Sequence, residues 1–184
     1  MAARFRRRTL PAPSRATSGA RASPSRCPRK ARTLRKPGRQ RTNFHATVIV
    51  AGGRGIMITG DSGAGKSSLA VSVVRHCHAI GGHAALVSDD QAWLSAPNGR
   101  LVAEAPQAIE GLVEIRGYGP AGVPFERRAV VDLFVRLVEE GEVPRFREDD
   151  SETVLGVELP CLRLPARNIA SATGVLAAWL GIVA

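Results

Sequence analysis

Apolar and polar residues begin to alternate near Arg41, and from there the chain divides into short segments separated by turn residues. Thr47–Val50 and Gly55–Thr59 are apolar runs on either side of Gly52-Gly53, which predicts two β-strands joined by a turn. Lys66–His78 carries apolar residues three and four positions apart, which is typical of one face of an α-helix. This part of the chain is therefore predicted to run strand, turn, strand, loop, helix.

The middle of the chain favours strands over helices. Four short apolar segments are predicted strands: Ala84–Val87, Gln91–Leu94, Arg100–Ala103 and Leu112–Ile115. The second and third are expected to pair as a hairpin, because Pro97-Asn98-Gly99 between them favours a turn. Ala129–Val138 suits either a helix or a strand by its spacing, and we favour the strand.

The C-terminal part of the chain combines an extended segment with a helix. Thr153–Leu164 is expected to be extended but interrupted at Pro160. Ile169–Leu180 is expected to be a helix, with Asn168 as its N-cap. Because strands outnumber helices after the first helix, the regular alternation of a doubly wound sheet is not expected. The pattern predicts an α/β fold with a mixed, strand-rich sheet.

The loop before the first predicted helix carries the clearest motif. The P-loop pattern G-x-x-x-x-G-K-[ST] is matched by Gly60-Asp61-Ser62-Gly63-Ala64-Gly65-Lys66-Ser67, between a predicted strand and a predicted helix. The glycines let backbone N–H groups turn toward an anion, and the start of the helix adds partial positive charge. Lys66 is expected to reach the β- and γ-phosphates of a nucleoside triphosphate, and the Ser67 hydroxyl is expected to ligate Mg²⁺.

Two further features could serve phosphoryl transfer. A predicted strand leads directly to Asp89-Asp90, and a carboxylate at the C-terminal end of a strand suits a Mg²⁺ partner or a catalytic base. Glu114 and Arg116 lie two residues apart in a predicted strand and therefore on one face, where they could bind metal and phosphate. Each feature has an ordinary alternative, because paired aspartates also mark turns and a Glu–Arg pair is commonly a surface ion pair.

The positive charge of the chain is concentrated at its N-terminus. Residues 1–41 contain twelve Arg, two Lys and no acidic residue, a charge of +14, whereas residues 42–184 carry −4. The segment is rich in Pro, Ser and Ala, which predicts a disordered basic extension over 1–41 and one folded domain over 42–184. Nucleic-acid binding is not favoured, because Phe5 is the extension's one aromatic residue and base stacking is hardly available. Its prolines also disfavour the amphipathic helix of an organellar transit peptide.

Several classes of protein are disfavoured by features that the sequence lacks. No uninterrupted run of 18 apolar residues predicts a membrane span, and the order of regions in a secretory signal is absent. The cysteines, Cys27, Cys77 and Cys161, are widely spaced, which is typical of reduced thiols rather than a disulfide framework or a metal site. A cytoplasmic protein is therefore expected.

Together these motifs resemble the bacterial HPr kinase/phosphorylase family, in a short form that keeps only the C-terminal catalytic domain. The resemblance covers roughly residues 44–181 and is carried by His45-Ala46-Thr47, the P-loop, Val87-Ser88-Asp89-Asp90, Val113-Glu114-Ile115-Arg116-Gly117 and Pro165-Ala166-Arg167-Asn168. It implies a P-loop kinase domain with a fold similar to phosphoenolpyruvate carboxykinases. It also implies ATP and Mg²⁺ as cofactors, phosphorylation of a serine of the phosphocarrier protein HPr, reversal of that reaction by inorganic phosphate, and a homo-oligomer, by resemblance a hexamer.

The resemblance also implies roles for particular residues. The acid/base aspartate is Asp89 or Asp90, and we favour Asp89; it would accept the serine proton in the kinase direction and return one in the reverse direction. His45 would tune that carboxylate. The remaining implied site residues are the P-loop lysine, the two Mg²⁺ ligands and an arginine needed for both reactions: Lys66, Ser67, Glu114 and Arg116.

The sequence departs from the family in several places, and two of these departures concern arginines. An active arginine in the family's D-R-L-G stretch has no clear counterpart, and Arg145 or Arg147 could substitute for it. The family's R-P-G-R-N, a block connected to the reverse reaction, here reads Leu164-Pro165-Ala166-Arg167-Asn168 and lacks one arginine. Two other functions stay open: a kinase of the same fold acting on another substrate, and a nucleotide-dependent nucleic-acid-binding protein that uses the basic extension.

Overall fold

The computed structural model of the chain describes residues 41–182. In this part of the chain the strands and α-helices follow in the order β1 (Thr42–Phe44), β2 (Thr47–Ala51), β3 (Arg54–Thr59), α1 (Lys66–Ala79), β4 (Ala84–Ser88), β5 (Ala92–Ser95), β6 (Val102–Glu104), β7 (Leu112–Ile115), β8 (Gly119–Gly122), β9 (Arg128–Val138), β10 (Asp150–Val154), β11 (Val157–Pro165) and α2 (Ile169–Leu180). Single 3₁₀ turns occur at Pro97–Gly99, Gln107–Ile109 and Glu140–Glu142.

Nine of these strands form one mixed sheet. Its order is β1-β5-β6-β9-β3-β2-β4, and β11 also pairs with β9 while β10 pairs with β11. β3 and β11 run parallel to the long strand β9. β2 is antiparallel to both β3 and β4, so β4 runs in the same direction as β3. Four strands, β3, β4, β9 and β11, therefore end at the same edge of the sheet, which is where open α/β sheets usually bind ligands.

The sheet is buried on both faces. α1 and α2 pack beside each other on one face, where the Thr173 hydroxyl donates to the Ser72 hydroxyl at 2.9 Å. A second apolar cluster fills the opposite face and includes residues of β5, β6 and β10. Ile56 and Ile58 of β3 belong to the first cluster and Met57 between them belongs to the second, as the alternation of side chains along a strand requires. This is why β2, β3 and β4 have continuous apolar sequences.

Most of the predicted elements are confirmed, as is the mixed, strand-rich α/β class. The ambiguous segment Ala129–Val138 is a strand, β9. The predicted hairpin around Pro97-Asn98-Gly99 is formed by β5 and β6. The Asn168 side chain caps α2 as expected, because its Oδ1 accepts a hydrogen bond from the Ser171 N–H at 3.2 Å.

The predicted interruption at Pro160 is wrong. Strand β11 continues through Pro160, and the chain instead turns at Leu155-Gly156, where both residues have positive φ. Pro160 pairs with Ser151 of β10, but the pairing of β11 with β9 starts only at Cys161. The missing N–H of proline therefore removes no hydrogen bond from the β9 side, and proline is tolerated where a strand has one neighbour.

The predicted strand that carries Glu114 and Arg116 forms one arm of a separate hairpin. β7 pairs with β8 from Leu112↔Gly122 to Ile115↔Gly119, a pairing that was not predicted. Arg116 was expected to be a strand residue, but the strand ends at Ile115 and Arg116 begins the turn at the tip of the hairpin. The short runs of glycine and proline in β8 explain why its strand character was not visible in the sequence.

The predicted basic extension, apart from Arg41, lies outside the described residues. Within residues 41–182, neither helix is both long enough and apolar enough to cross a membrane. Cys77 and Cys161 are free and buried, while Cys27 lies in the part that is not described.

Candidate functional site

The P-loop wraps around the N-terminus of α1, directly after β3. Gly60, Gly63 and Gly65 all have positive φ, between 78° and 142°. A Cβ on Gly60 would lie 2.9 Å from Leu137 Cβ, and one on Gly65 would lie 2.9 Å from Ile169 Cδ1. Larger residues would therefore push the loop away from β9 and α2. The positive φ values give the loop the curled backbone that an anion site built from N–H groups requires.

Lys66 is the first residue of α1, and its side chain is folded back across the P-loop. Only 7% of the residue is exposed. Its Nζ donates to the carbonyl oxygens of Gly60 and Asp61 at 3.0 and 3.1 Å. The ammonium is held in this position by the backbone of the loop itself, so a phosphate group bound by the loop would lie next to it.

Asp89 follows β4 and is anchored beside the P-loop. It is 5% exposed, and its Oδ1 accepts hydrogen bonds from the hydroxyls of Thr47 and Ser67, each at 2.8 Å. Its Oδ2 accepts from the backbone N–H of Glu114 at 3.2 Å. This carboxylate therefore connects β2, the start of α1 and β7. The Asp89 carboxylate thus accepts three hydrogen bonds and has about one lone-pair direction left. Such a carboxylate is suited to holding neighbouring side chains and backbone in place.

Asp90 has a different environment from its neighbour. Its φ is +65°, so the chain turns sharply and directs the Asp90 side chain into solvent, with 69% of it exposed. His45 Nδ1 lies 3.1 Å from Asp90 Oδ1 and 2.9 Å from the Asp90 carbonyl oxygen. The imidazole therefore touches both the carboxylate and the backbone of Asp90. The two side chains lie together at the mouth of the P-loop cleft.

The cleft itself has a volume of about 380 Å³. Its walls combine the P-loop, the His45–Asp90 pair, the tip of the β7–β8 hairpin and the segment before α2, and its lining includes Lys66, Ser67, Glu114, Arg116 and Arg167. The structure thus brings the predicted site residues to one place. Arg116 reaches toward the P-loop from the hairpin, since its Nη2 is 3.9 Å from the position of a Cβ on Gly63.

The residues of this cleft fit a nucleoside triphosphate with Mg²⁺. The P-loop supplies N–H donors and Lys66 a positive charge, while Ser67 and Glu114 of the lining supply the hard oxygen ligands that Mg²⁺ prefers. The buried Asp89 carboxylate, which accepts a hydrogen bond from Ser67, adds a further oxygen beside them. No group of three or more His, Cys, Asp or Glu residues in the described chain forms a metal site alone. A donor set completed by phosphate oxygens and water is typical of Mg²⁺ in kinase sites.

Two contributors to the site were missed or undervalued in the sequence. Thr47 is fully buried and provides the second hydroxyl on Asp89. A threonine in an otherwise apolar strand was a visible signal, but only the fold shows its partner. Arg167 lies beside the P-loop, because its backbone N–H donates to the Ala64 carbonyl at 2.8 Å.

The two arginines considered as substitutes for the family's active arginine lie elsewhere. Arg145 and Arg147 line a different pocket, between β11 and α2. Arg136 and Arg163 instead approach the back of the P-loop, where they line a second cleft of about 540 Å³ together with Arg167. Both are paired with carboxylates, Arg136 with Glu152 at 2.6 Å and Arg163 with Glu148 at 2.6 Å.

Comparison with known proteins gives consistent results. The family model for the HPr Serine kinase C-terminal domain matches residues 39–179. The chain is 29% identical over 147 residues to the HPr kinase/phosphorylase of Geobacter sulfurreducens, which covers 73% of this chain and 44% of that protein. It is 35% identical over 134 residues to the HPr kinase/phosphorylase of Clostridium tetani, which covers 70% of this chain and 41% of that protein. The chain therefore spans less than half the length of these relatives.

A solved structure is similar to the fold as well. The Hpr(Ser) kinase/phosphatase from Coxiella burnetii superposes with a TM-score of 0.64 at 25% sequence identity. The match covers 77% of this chain and 98% of that chain. The chain thus shares its overall fold with a protein described as a kinase/phosphatase.

Proposed function

The chain belongs to the HPr Serine kinase C-terminal domain family, and from that premise we propose that it transfers the γ-phosphoryl group of ATP to a serine of the phosphocarrier protein HPr. The observation that carries the proposal is the His45–Asp90 pair at the mouth of the P-loop cleft. An exposed carboxylate opposite a phosphate-binding loop can reach both a protein hydroxyl from solvent and a phosphate in the loop.

Nucleotide binding is assigned to the P-loop. Its N–H groups, residues 60–67, would hold the phosphates, and the buried ammonium of Lys66 would offset their charge. Arg116 at the hairpin tip would face the transferred group from the opposite wall of the cleft, where a guanidinium can stabilise developing charge.

Three oxygen ligands are assigned to the magnesium site: Ser67, Asp89 and Glu114. When bound, Mg²⁺ would draw negative charge from the phosphate oxygens and make the phosphorus more susceptible to attack. Asp89 already fixes the Ser67 hydroxyl at 2.8 Å and the Glu114 backbone at 3.2 Å, so it holds the other two ligands in place. This anchoring role is the reason why we now assign Asp89 to the metal side of the site.

The acid/base role is assigned to Asp90. In the forward direction its carboxylate would accept the proton of the serine hydroxyl while the serine oxygen forms a bond to the γ-phosphorus and the bond to the β-phosphate oxygen breaks. His45 contacts Asp90 Oδ1 and would orient it. Asp90 thus replaces Asp89 as our preferred acid/base residue, because Asp89 is buried and already accepts hydrogen bonds from Thr47 and Ser67, whereas the Asp90 carboxylate is exposed at the cleft.

The reverse reaction follows from the same geometry. Protonated Asp90 would return its proton to the serine oxygen as the phosphoryl group passes to inorganic phosphate, forming pyrophosphate. The second phosphate would bind in the P-loop where the β-phosphate of ATP binds in the forward direction. Arg167 is the one arginine of the family's R-P-G-R-N block that this chain keeps, and it lines this cleft.

The proposal is tested by incubating the protein with ATP, Mg²⁺ and HPr from its host. We expect phosphorylation of one HPr serine, detected by mass spectrometry, and loss of the signal in Lys66→Ala. Adding inorganic phosphate to purified phosphoserine HPr tests the reverse reaction by release of pyrophosphate. Tight ATP binding without any transfer to HPr would exclude HPr as the substrate and favour another target of the same site.

A further inference from the structure

Arg167 has a backbone conformation that is unfavourable for its residue type. Its φ is +62°, in the left-handed region, which is less favourable for a residue with a Cβ than for glycine. Other non-glycine residues with positive φ include Asp90 at the acid/base position. Strained residues of this kind are retained where the surrounding structure holds them and their side chain is needed.

The segment around Arg167 is fixed from three directions. The Ala166 N–H donates to the Val138 carbonyl at 2.7 Å, and the Arg167 N–H donates to the Ala64 carbonyl of the P-loop at 2.8 Å. Asn168 immediately caps α2. Because β9, the P-loop and α2 together determine this backbone, Arg167 cannot relax to a better φ without releasing one of them. The contact between α2 and the P-loop therefore keeps Arg167 in its strained backbone conformation.

The Arg167 side chain is placed where a bound nucleotide would need it. It lines the cleft on the His45–Asp90 side of the P-loop and also the second cleft behind the loop. Its side chain is 69% exposed, and its Nη2 lies 3.7 Å from Oε1 of Glu139, its ionic partner among the described residues. By contrast, Arg136 and Arg163 make ion pairs at 2.6 Å. Among the three arginines that line the second cleft, Arg167 is thus the one without a close ion pair, and its donors are available for a phosphate.

We propose that Arg167 binds a phosphate of the P-loop nucleotide, and that the chain accepts a less stable fold to hold the guanidinium there. The inference rests on the proposed use of a nucleotide by this site. It predicts that nucleotide affinity and fold stability respond in opposite directions when residue 167 loses both its side chain and its strain. Glycine at this position would supply the φ without cost, so the retained arginine must serve something other than folding.

The test compares Arg167→Gly with Arg167→Ala in the full chain. Both variants lose the guanidinium, so the Kd for ATP with Mg²⁺, measured by titration calorimetry, should rise about tenfold to a hundredfold in each. Only glycine relieves the backbone strain, so Tm should rise by about 2–4 °C in Arg167→Gly and should not rise in Arg167→Ala. Arg167→Lys should keep the Tm and give an intermediate Kd.

Leu155 provides a matched control, because its φ is +50° in the β10–β11 turn, away from the P-loop. Leu155→Gly should raise Tm as well but leave the Kd for ATP unchanged. An unchanged Kd for ATP in Arg167→Gly overturns the inference. A Tm that falls in Arg167→Gly while it rises in Leu155→Gly overturns it as well. If the unaltered chain binds no ATP, the proposed function itself fails, which separates the two results.

Discussion

Asp89 and Asp90 are adjacent in the sequence but differ in almost every physical respect. Asp89 is buried and accepts three hydrogen bonds, from two hydroxyls and one backbone N–H. Asp90 is mostly exposed and its carboxylate lies against the imidazole of His45. The cause is the left-handed φ of Asp90, which turns the chain between the two side chains. A buried, hydrogen-bonded carboxylate positions other groups, whereas an exposed one can meet a substrate.

This difference predicts distinct effects of two similar substitutions. Asp90→Asn removes the proton acceptor but no buried contact, so ATP binding and Tm should be preserved while transfer to HPr falls on the order of 10²–10⁴-fold. Asp89→Asn places an amide N–H₂ among groups that donate, so it should lower stability by about 1–3 kcal/mol and weaken Mg²⁺-dependent ATP binding. Initial rates, calorimetric titration and urea unfolding measure the three quantities.

The reverse outcome would exchange the two roles. If Asp90→Asn retains transfer and Asp89→Asn abolishes it with normal ATP binding and stability, then Asp89 is the acid/base residue, as first favoured from the sequence. His45→Gln serves as a companion variant, since it removes the imidazole from Asp90 without altering Asp89. It should reduce the transfer rate less than Asp90→Asn does.

For individual residues, the sequence predicted which side chains lie together in the cleft but not the role of each one. The P-loop, His45, Glu114 and Arg116 line one cleft as expected, because motif spacing and strand direction determine that edge of the sheet. The assignment within Asp89-Asp90 depends on one backbone angle, and no pattern of residue types encodes it. Thr47 was part of a recognised stretch, but its hydrogen bond to Asp89 spans 42 positions of the chain.

Among the elements, α2 has the most direct influence on the site, because its first turn rests on the P-loop. The Cδ1 atom of Ile169 would contact any Cβ on Gly65, and Asn168 closes the helix N-terminus. The helix was predictable from apolar spacing and its capping residue. Its position against the P-loop was not, because two parallel strands, β9 and β11, determine where the chain enters α2.

The cap of α2 is open to a simple test. Asn168→Ala removes the acceptor for the Ser171 N–H and should lower the free energy of unfolding by about 1 kcal/mol. Asn168→Asp keeps a capping oxygen at the helix N-terminus and should retain stability. Urea unfolding followed by circular dichroism measures both. Equal stability of the alanine variant and the unaltered protein would show that the cap contributes nothing.

Strand prediction failed in two places for identifiable reasons. Pro160 looked like a break because a proline lacks an N–H, but at that residue β11 has a single neighbour. β8, Gly119–Gly122, consists of glycine, proline and alanine, which have low strand propensity, and only pairing with β7 makes it a strand. In both cases tertiary pairing, rather than local preference, decided the outcome.

For the molecule as a whole, one buried thiol predicts a pH dependence of stability. Burial raises the pKa of Cys161 above its ordinary value of 9.0, and the nearby negative charge of Asp150 raises it further. The folded state therefore keeps the proton more tightly than the unfolded state does. Stability from this thiol is complete below pH 9 and is lost as pH rises through the folded pKa, at about 1.4 kcal/mol per pH unit.

The measurement is the free energy of unfolding between pH 7 and pH 10.5. Cys161→Ala should lower stability at pH 7, because it removes buried volume, but should flatten the loss at alkaline pH. The variant lacks only this thiol, so the difference between the two slopes reports the contribution of Cys161. An identical slope in the variant and the unaltered protein would contradict the assignment.

The strongly basic N-terminal segment raises the last question about the whole chain. All residues of the proposed site lie between His45 and Arg167, and the charge of residues 42–184 is −4 against +14 for residues 1–41. Arg41 itself belongs with the folded part, because its Nη2 lies 2.6 Å from Oε2 of Glu104, the last residue of β6. A deletion should therefore end at Gln40 and keep Arg41. The expected domain boundary at 41/42 stays a prediction, as does the hexamer.

Removing residues 1–40 separates the kinase from the alternative of a nucleic-acid-binding protein. If the site is sufficient, the shortened protein should keep its Kd for ATP and its rate of transfer to HPr. Any binding of DNA would come from arginine–phosphate attraction alone, and it can be measured by fluorescence anisotropy at about 50 and 200 mM salt. We expect it to weaken strongly with salt in the full chain and to disappear in the shortened one. Loss of transfer in a shortened protein that still unfolds cooperatively and binds ATP would mean that the segment takes part in recognising the substrate. Full transfer by the shortened protein, residues 41–184 with a net charge of −3, would show instead that the phosphoacceptor is recognised without the basic segment.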